Sequence, residues 1–256
     1  MIWCLNQNSI NSECLPKRSQ RAKTIILKKI TIAIDGFSST GKSTLAKQLA
    51  KHLGYVYVDT GAMYRAVTFF AMQNGYITAE FFDKESLIHA LPFVKLEFHF
   101  NPELGFAEMY LNGTNVEAEI RTIEVSNFVS KIAEVSEVRS KLVEQQQHMG
   151  EGKGIVMDGR DIGTVVFPNA ELKIFMTASP ETRAQRRFDE LQAKGQNVPY
   201  EAVLKNVQER DYIDTHRDDS PLVMAEDAIE IDNSHLNREE QFEAVLDLVD
   251  ELMKSM

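Results

Sequence analysis

Apolar and polar positions along this chain keep switching between two periods. Ile30-Thr31-Ile32-Ala33-Ile34 is a short, mostly β-branched run, the pattern of a strand buried on both faces. Leu45, Leu49 and Leu53 then recur at helical spacing through 43–53, and Gly54 stands where such a helix ends. A second short strand follows at 55–58. The alternation returns later: 155–157, 172–176 and 228–231 read as strands, and 181–194 and 200–212 as helices. Residues 239–256 close the chain as an amphipathic helix with Phe242, Val245, Leu248 and Leu252 on one side. Short apolar strands alternating with helices predict a three-layer α/β architecture, a parallel sheet with helices on both faces.

One stretch has a different period. Residues 94–100 and 106–111 alternate apolar with polar side chains on either side of Asn101-Pro102-Glu103-Leu104-Gly105, and Asn112-Gly113 marks another tight turn. This predicts a small antiparallel element inserted into the α/β body, followed by helices near 121–132 and 136–149. Residues 1–28 differ again, being polar with basic residues at Lys17, Arg18, Arg21, Lys23 and Lys28. A secretory signal puts its basic residues first and an apolar stretch of about 7–15 residues after them, the reverse of what stands here. Residues 1–28 are expected to be an extension without fixed structure, ahead of one domain over 29–256.

Composition narrows the function. At 256 residues, 43% hydrophobic and 26% charged, the chain has the material for a sizeable core. A net charge of −10, from 28 Lys and Arg against 38 Asp and Glu, repels polyanions, so no nucleic-acid partner is expected. No apolar run approaches the ~20 residues of a membrane span, so no membrane partner is expected either. The two cysteines, Cys4 and Cys14, sit far from the predicted core, which fits a reducing compartment, the cytoplasm.

The chemistry is concentrated in Gly36-Phe37-Ser38-Ser39-Thr40-Gly41-Lys42-Ser43, a full match to the phosphate-binding loop G-x-x-x-x-G-K-[ST] between a predicted strand and a predicted helix. In such a loop the glycines let backbone N–H groups face phosphate oxygens, and the helix N-terminus adds positive potential. Lys42 is placed to reach the β- and γ-phosphates, and the Ser43 hydroxyl to ligate Mg²⁺. The Asn-Lys-x-Asp base-reading motif of a GTPase switch is not found. A kinase for a phosphorylated acceptor needs a second anion site, and arginines recur at turns and helix ends: Arg65 after Asp59-Thr60-Gly61, Arg160 in Asp158-Gly159-Arg160-Asp161, Arg183, Arg186 and Arg187 on one helix, and Arg210 to Arg217. Thr60 is positioned to cap the helix that follows it. Singly, these fit a surface arginine, a turn salt bridge and solvated helix faces. Beside a triphosphate loop they fit clamps on a transferring phosphoryl group.

In this order, the motifs resemble the bacterial cytidylate kinase family of P-loop nucleoside monophosphate kinases, over about 29–256. The segments that carry the resemblance run from Ile34 through Thr44, Asp59 to Arg65, Glu119-Ile120-Arg121-Thr122, Asp158-Gly159-Arg160-Asp161-Ile162-Gly163-Thr164-Val165-Val166-Phe167-Pro168, and Arg210 to Arg217. The resemblance implies ATP-dependent, in-line phosphorylation of CMP and dCMP by a monomer. An acceptor-binding insertion is implied at about 60–150 and a mobile lid at about 180–220. It implies that Gly36, Phe37, Ser38, Ser39, Thr40, Gly41, Lys42, Ser43, Thr44 and Arg186 hold the donor with Mg²⁺ on Ser43. Arg65, Arg160 and Arg210 would take the acceptor phosphate, Ser130, Arg139 and Asp161 the cytosine, and Asp214 and Arg217 the sugar, with Thr60 beside them. Lys42, Arg160, Arg183 and Arg187 would act on the transferring group. Phe37 and Ser39 depart from the family's common loop residues, while Gly36, Gly41 and Lys42 stand. Another small-molecule kinase of this fold and a nucleotide-dependent binding switch are the competing readings.

Overall fold

A computed structural model describes residues 28–256. Cys4, Cys14 and all but the last residue of the expected extension lie outside the described residues. The chain begins with β1 (Thr31–Gly36), α1 (Lys42–Leu53), β2 (Val56–Asp59), α2 (Thr60–Gln73) and α3 (Lys84–Ala90). The hairpin β3 (Leu96–Asn101) and β4 (Phe106–Leu111) follows with the short β5 (Thr114–Asn115), then α4 (Ile123–Ala133) and α5 (Ser136–Met149). The chain returns through β6 (Ile155–Asp158), β7 (Leu172–Thr177), α6 (Pro180–Ala193), α7 (Tyr200–His216), β8 (Ile229–Asp232) and α8 (Arg238–Ser255).

Five strands form one sheet in the order β2-β6-β1-β7-β8, with every pairing parallel. β1 is central and buried along its whole length, which is why it reads as a continuous apolar run. Its side chains alternate between faces: Ile32 and Ile34 join Leu45 and Leu49 of α1 and Val245 and Val249 of α8, while Ala33 meets Met157 and Ile162 on the other side. A separate core holds the insertion together, with Met63 of α2, Leu87 of α3, Met109 of β4, Ile132 of α4 and Leu142 of α5 at its centre. β3, β4 and β5 pair antiparallel, as their alternation predicted.

The parallel strands all end at one edge, where open α/β sheets bind ligands. β2, β6 and β8 each finish on an aspartate, Asp59, Asp158 and Asp232. β1 finishes on Gly36, which has φ 137°; a Cβ there would lie 1.9 Å from the Met176 carbonyl oxygen, so only glycine lets the chain turn away so close to β7.

Two local expectations needed correction, and one helix had not been foreseen. Thr60 does not cap α2: Asp59 does, accepting from the Ala62 N–H at 2.9 Å, while the Thr60 hydroxyl donates to the Asp158 carbonyl at 2.7 Å. α7 runs to His216 rather than stopping near 212, so Asp214 sits inside its last turn. α3 carried no strong periodic signal in so few residues, and only the structure reveals it. Among the described residues no helix is long and apolar enough to cross a membrane.

Candidate functional site: two cavities that meet at three arginines

The loop 36–44 leaves β1 and opens α1, with Gly41 at φ 93° as the helix N-cap. Ser38, Ser39, Thr40, Gly41, Lys42, Ser43 and Thr44 line a cavity of about 880 Å³; Gly36 and Phe37 do not line it. The Lys42 Nζ donates to the Phe37 carbonyl at 2.5 Å. Burial first, then the nearby Arg160 guanidinium, lowers its pKa to about 7. Phe37 packs edge-on against Phe175, with the Arg183 guanidinium over its ring at 5.0 Å.

Asp158 faces this loop from the end of β6. The Ser43 hydroxyl donates to one of its oxygens at 2.9 Å, and the Tyr57 hydroxyl to the other at 2.8 Å. Burial, then the neighbouring Asp59, pushes the Asp158 carboxyl up to about 6. A buried carboxylate and a hydroxyl on the cavity wall are hard oxygen donors. They fit Mg²⁺, which takes few protein ligands and keeps waters and phosphate oxygens. Among the described residues no cluster of three or more acidic, His or Cys side chains is placed to hold a metal ion.

A smaller cavity of about 60 Å³ adjoins the first. Thr60, Arg65, Ser130, Arg139, Arg160, Asp161, Arg210, Asp214 and Arg217 all line it, so residues spread over 158 positions and four helices come to one place. Arg139 and Asp161 form a buried ion pair, and Arg139 also donates to the Ala133 carbonyl at 3.2 Å. Asp214 accepts from the Ser130 hydroxyl at 3.0 Å and from the Arg160 Nε at 2.8 Å, with the Arg217 guanidinium 4.0 Å away. Burial opposes the charge on Asp214, but Arg160, Arg210 and Arg217 together hold it below the usual carboxylate range.

Gly61, Arg65, Gly159, Arg160 and Arg210 line both cavities. Of the three arginines only Arg160 has a carboxylate partner among the described residues. Arg65 donates to the Ile120 carbonyl at 3.3 Å, and Arg210 to the Ser126 hydroxyl at 3.2 Å with its Nε unpartnered. Burial and then crowding by other arginines push both below the guanidinium range, Arg65 far below and Arg210 to about 10. Buried cations without counter-charge are costly unless an anion joins them.

The α6 arginines differ from one another. Arg186 and Arg187 line the larger cavity; Arg186 donates to Asn233 at 2.8 and 3.0 Å, and Arg187 pairs with Glu190 at 2.9 Å. Arg183 does not line it. It is 2% exposed and grips Asp211 of α7 bidentately at 2.6 and 2.9 Å, behind the loop.

Several residues at this site were given no role in the sequence reading. Asp158 stood inside a recognised string, and its position at the end of an apolar run was the available signal. Tyr64 lines the smaller cavity with a buried, unpartnered hydroxyl. Arg121 joins Asp59 and Glu117 at 2.8 and 2.6 Å on the wall of the larger one. Asn233 and Asp211 lie far along the chain from the loop they support; Asp211 stood inside the Arg210 to Arg217 segment without a role, and no local pattern marked Asn233.

The model of the family described as cytidylate kinase matches residues 32–251. The chain is 81% identical over 228 residues to the cytidylate kinase of Flavobacterium johnsoniae, covering 89% of this chain and 99% of that one. It is 74% identical over 226 residues to the cytidylate kinase of Flavobacterium psychrophilum (88% and 100% covered) and 59% identical over 217 residues to that of Bacteroides thetaiotaomicron (85% and 95%).

Proposed function

The chain belongs to the cytidylate kinase family, and on that premise we propose that it transfers the terminal phosphoryl group of ATP to CMP and dCMP, giving ADP with CDP or dCDP. The observation that carries this reading is the meeting of the two cavities at Arg65, Arg160 and Arg210. A donor in the larger cavity and an acceptor in the smaller one would bring two phosphates together at these arginines, two of which, Arg65 and Arg210, have no carboxylate partner among the described residues. Phosphoryl transfer asks mainly for positioning and charge neutralisation, and these groups supply both.

The residues take their roles from this arrangement. Gly36 to Thr44 cradle the donor phosphates, with Lys42 exchanging the Phe37 carbonyl for phosphate oxygens. Ser43 and Asp158 would hold Mg²⁺, which supplies neutralisation of the phosphate oxygens. Arg65, Arg160 and Arg210 hold the acceptor phosphate with Thr60 beside them, and Asp214 and Arg217 orient the sugar. Asp161 accepts from the cytosine amine, Arg139 donates to N3 or O2, and Ser130 completes the base pocket. Uracil reverses that edge and leaves the carboxylate unpaired, a mismatch that a buried polar site resists strongly. Residues 60–150 form the acceptor-binding region, and 180–220 a lid whose Arg186 and Arg187 close on the donor and exclude water. Arg183 acts from behind the loop, keeping Phe37 in place. The enzyme works as a monomer in the cytoplasm.

The test is ADP release from Mg-ATP with CMP, dCMP, UMP or AMP in parallel. Turnover with CMP and dCMP is expected, and little with UMP or AMP. Turnover with UMP or AMP in their place overturns the roles of Ser130, Arg139 and Asp161; no turnover with any of the four overturns the reaction itself.

A further inference from the structure

Asp35 is a buried carboxylate that the reaction above does not use. It lies near the end of β1, one residue before the phosphate loop, and is buried. One oxygen accepts from the Ile162 N–H at 2.8 Å, the other from the Gly163 N–H at 2.7 Å, across 127 and 128 positions of sequence. The approach is tight, since a Cβ on Gly163 would lie 3.4 Å from an Asp35 oxygen and 3.1 Å from the Lys173 side chain.

Ile162 and Gly163 begin the wide helical turn Ile162–Val166, and the residue just before it is Asp161. The first N–H groups of any helical turn lack partners within it. An aspartate in the position of Asp161 ordinarily folds its carboxylate back to accept one of them. Here it does not: Asp161 makes no side-chain cap, although its backbone carbonyl closes the turn by accepting from Val165 and Val166 at 2.9 and 3.1 Å. Its carboxylate points the other way, into the smaller cavity and onto Arg139.

We propose that Asp35 is a positioning residue for base selection: by capping the turn Ile162–Val166 from another strand, it frees the Asp161 carboxylate to read the acceptor base. The inference rests on the assignment of Asp161 as base reader. Without Asp35, two buried N–H groups lose their acceptor, and the nearest replacement is Asp161 itself. The same side chain cannot cap its own turn and meet Arg139 or a cytosine amine.

The test is the ratio of kcat/KM for CMP to that for UMP, measured with Asp35→Ala, Asp35→Asn, Asp161→Ala and the double variant Asp35→Ala/Asp161→Ala. Mg-ATP is common to both acceptors, so damage to the neighbouring phosphate loop cancels in the ratio. Asp161→Ala is expected to lower the ratio by about tenfold or more, the scale of one lost buried polar contact. Asp35→Ala should lower it comparably, and Asp35→Asn, which keeps one accepting oxygen, by less. The double variant should fall no further than Asp161→Ala, the signature of two residues acting through one group. Should Asp35→Ala not fold, Asp35→Asn alone and with Asp161→Ala carries the same comparison. A crystal structure of the Asp35→Asn protein should show Asp161 turned toward the Gly163 N–H. A ratio that Asp161→Ala lowers and both Asp35 variants leave intact overturns this inference alone, as does a double variant whose losses multiply. A ratio unmoved by Asp161→Ala overturns the base-reading role and this inference with it.

Discussion

Lys42 and Asp158 both line the larger cavity, and burial shifts them toward each other, down to about 7 and up to about 6. Phosphate needs the protonated lysine, whereas a metal needs the ionised aspartate. The empty protein releases the Lys42 proton as pH rises through about 7, so donor binding above that pH must take a proton up, and KM for ATP should climb between pH 7 and 9. Below about pH 6 Asp158 is protonated and kcat/KM should fall, giving a bell-shaped profile in a pH series at saturating Mg²⁺. Lys42→Ala should remove the alkaline change and cut kcat by about a hundredfold or more, a loss read directly in the ADP-release assay. At this scale the phosphate loop was legible because its residues are contiguous. Asp35 and Asp158 were not assigned, since their partners lie 127 and 115 positions away and only folding brings them together.

Helix α2 brings Arg65 to the junction, and Asp59 fixes where that helix starts. Burial opposes the charge on Asp59, yet the Arg121 guanidinium holds its carboxyl below the usual range, so it serves as cap and counter-ion at once. Asp59→Ala should cost about 1–2 kcal/mol in denaturant unfolding and raise KM for CMP; Asp59→Asn, which keeps a capping oxygen, should cost less. Between α6 and α7 the Arg183–Asp211 pair plays a comparable part. Asp211→Ala leaves a buried guanidinium without its carboxylate and should cost about 3–5 kcal/mol, measurable as a lowered urea midpoint. Strands and long helices were legible from their periods. Their ends were less so: Asp59 and Thr60 are both good caps, and the choice between them depends on the Asp158 carbonyl that takes the Thr60 hydroxyl.

The whole molecule sets an acidic exterior, net −10, around a cationic junction. Five residues are shared by both cavities, and one of them, Gly159, leaves no room for a side chain. A Cβ on Gly159 would lie 2.6 Å from the Ile162 side chain and 2.7 Å from the Thr60 hydroxyl. Gly159→Ala should therefore displace Thr60 and reduce kcat for every acceptor, leaving the CMP-to-UMP ratio far less affected than Asp161→Ala does; parallel progress curves with both acceptors would separate the two effects. The parallel sheet and the inserted hairpin followed from period alone, but the order of strands and the joining of two cavities did not. Both depend on contacts between segments that local pattern treats as independent.

The Arg139–Asp161 pair has one more consequence. Each side chain is the other's partner and both are buried, while the Arg139 Nε is left without a hydrogen bond. On the proposed role of the pair, an incoming ring is a rival rather than a guest: it must match bonds that the two residues already give each other. On that reading a pyrimidine with the wrong edge faces a closed contract, and the ion pair itself becomes the competitor against which every base is judged.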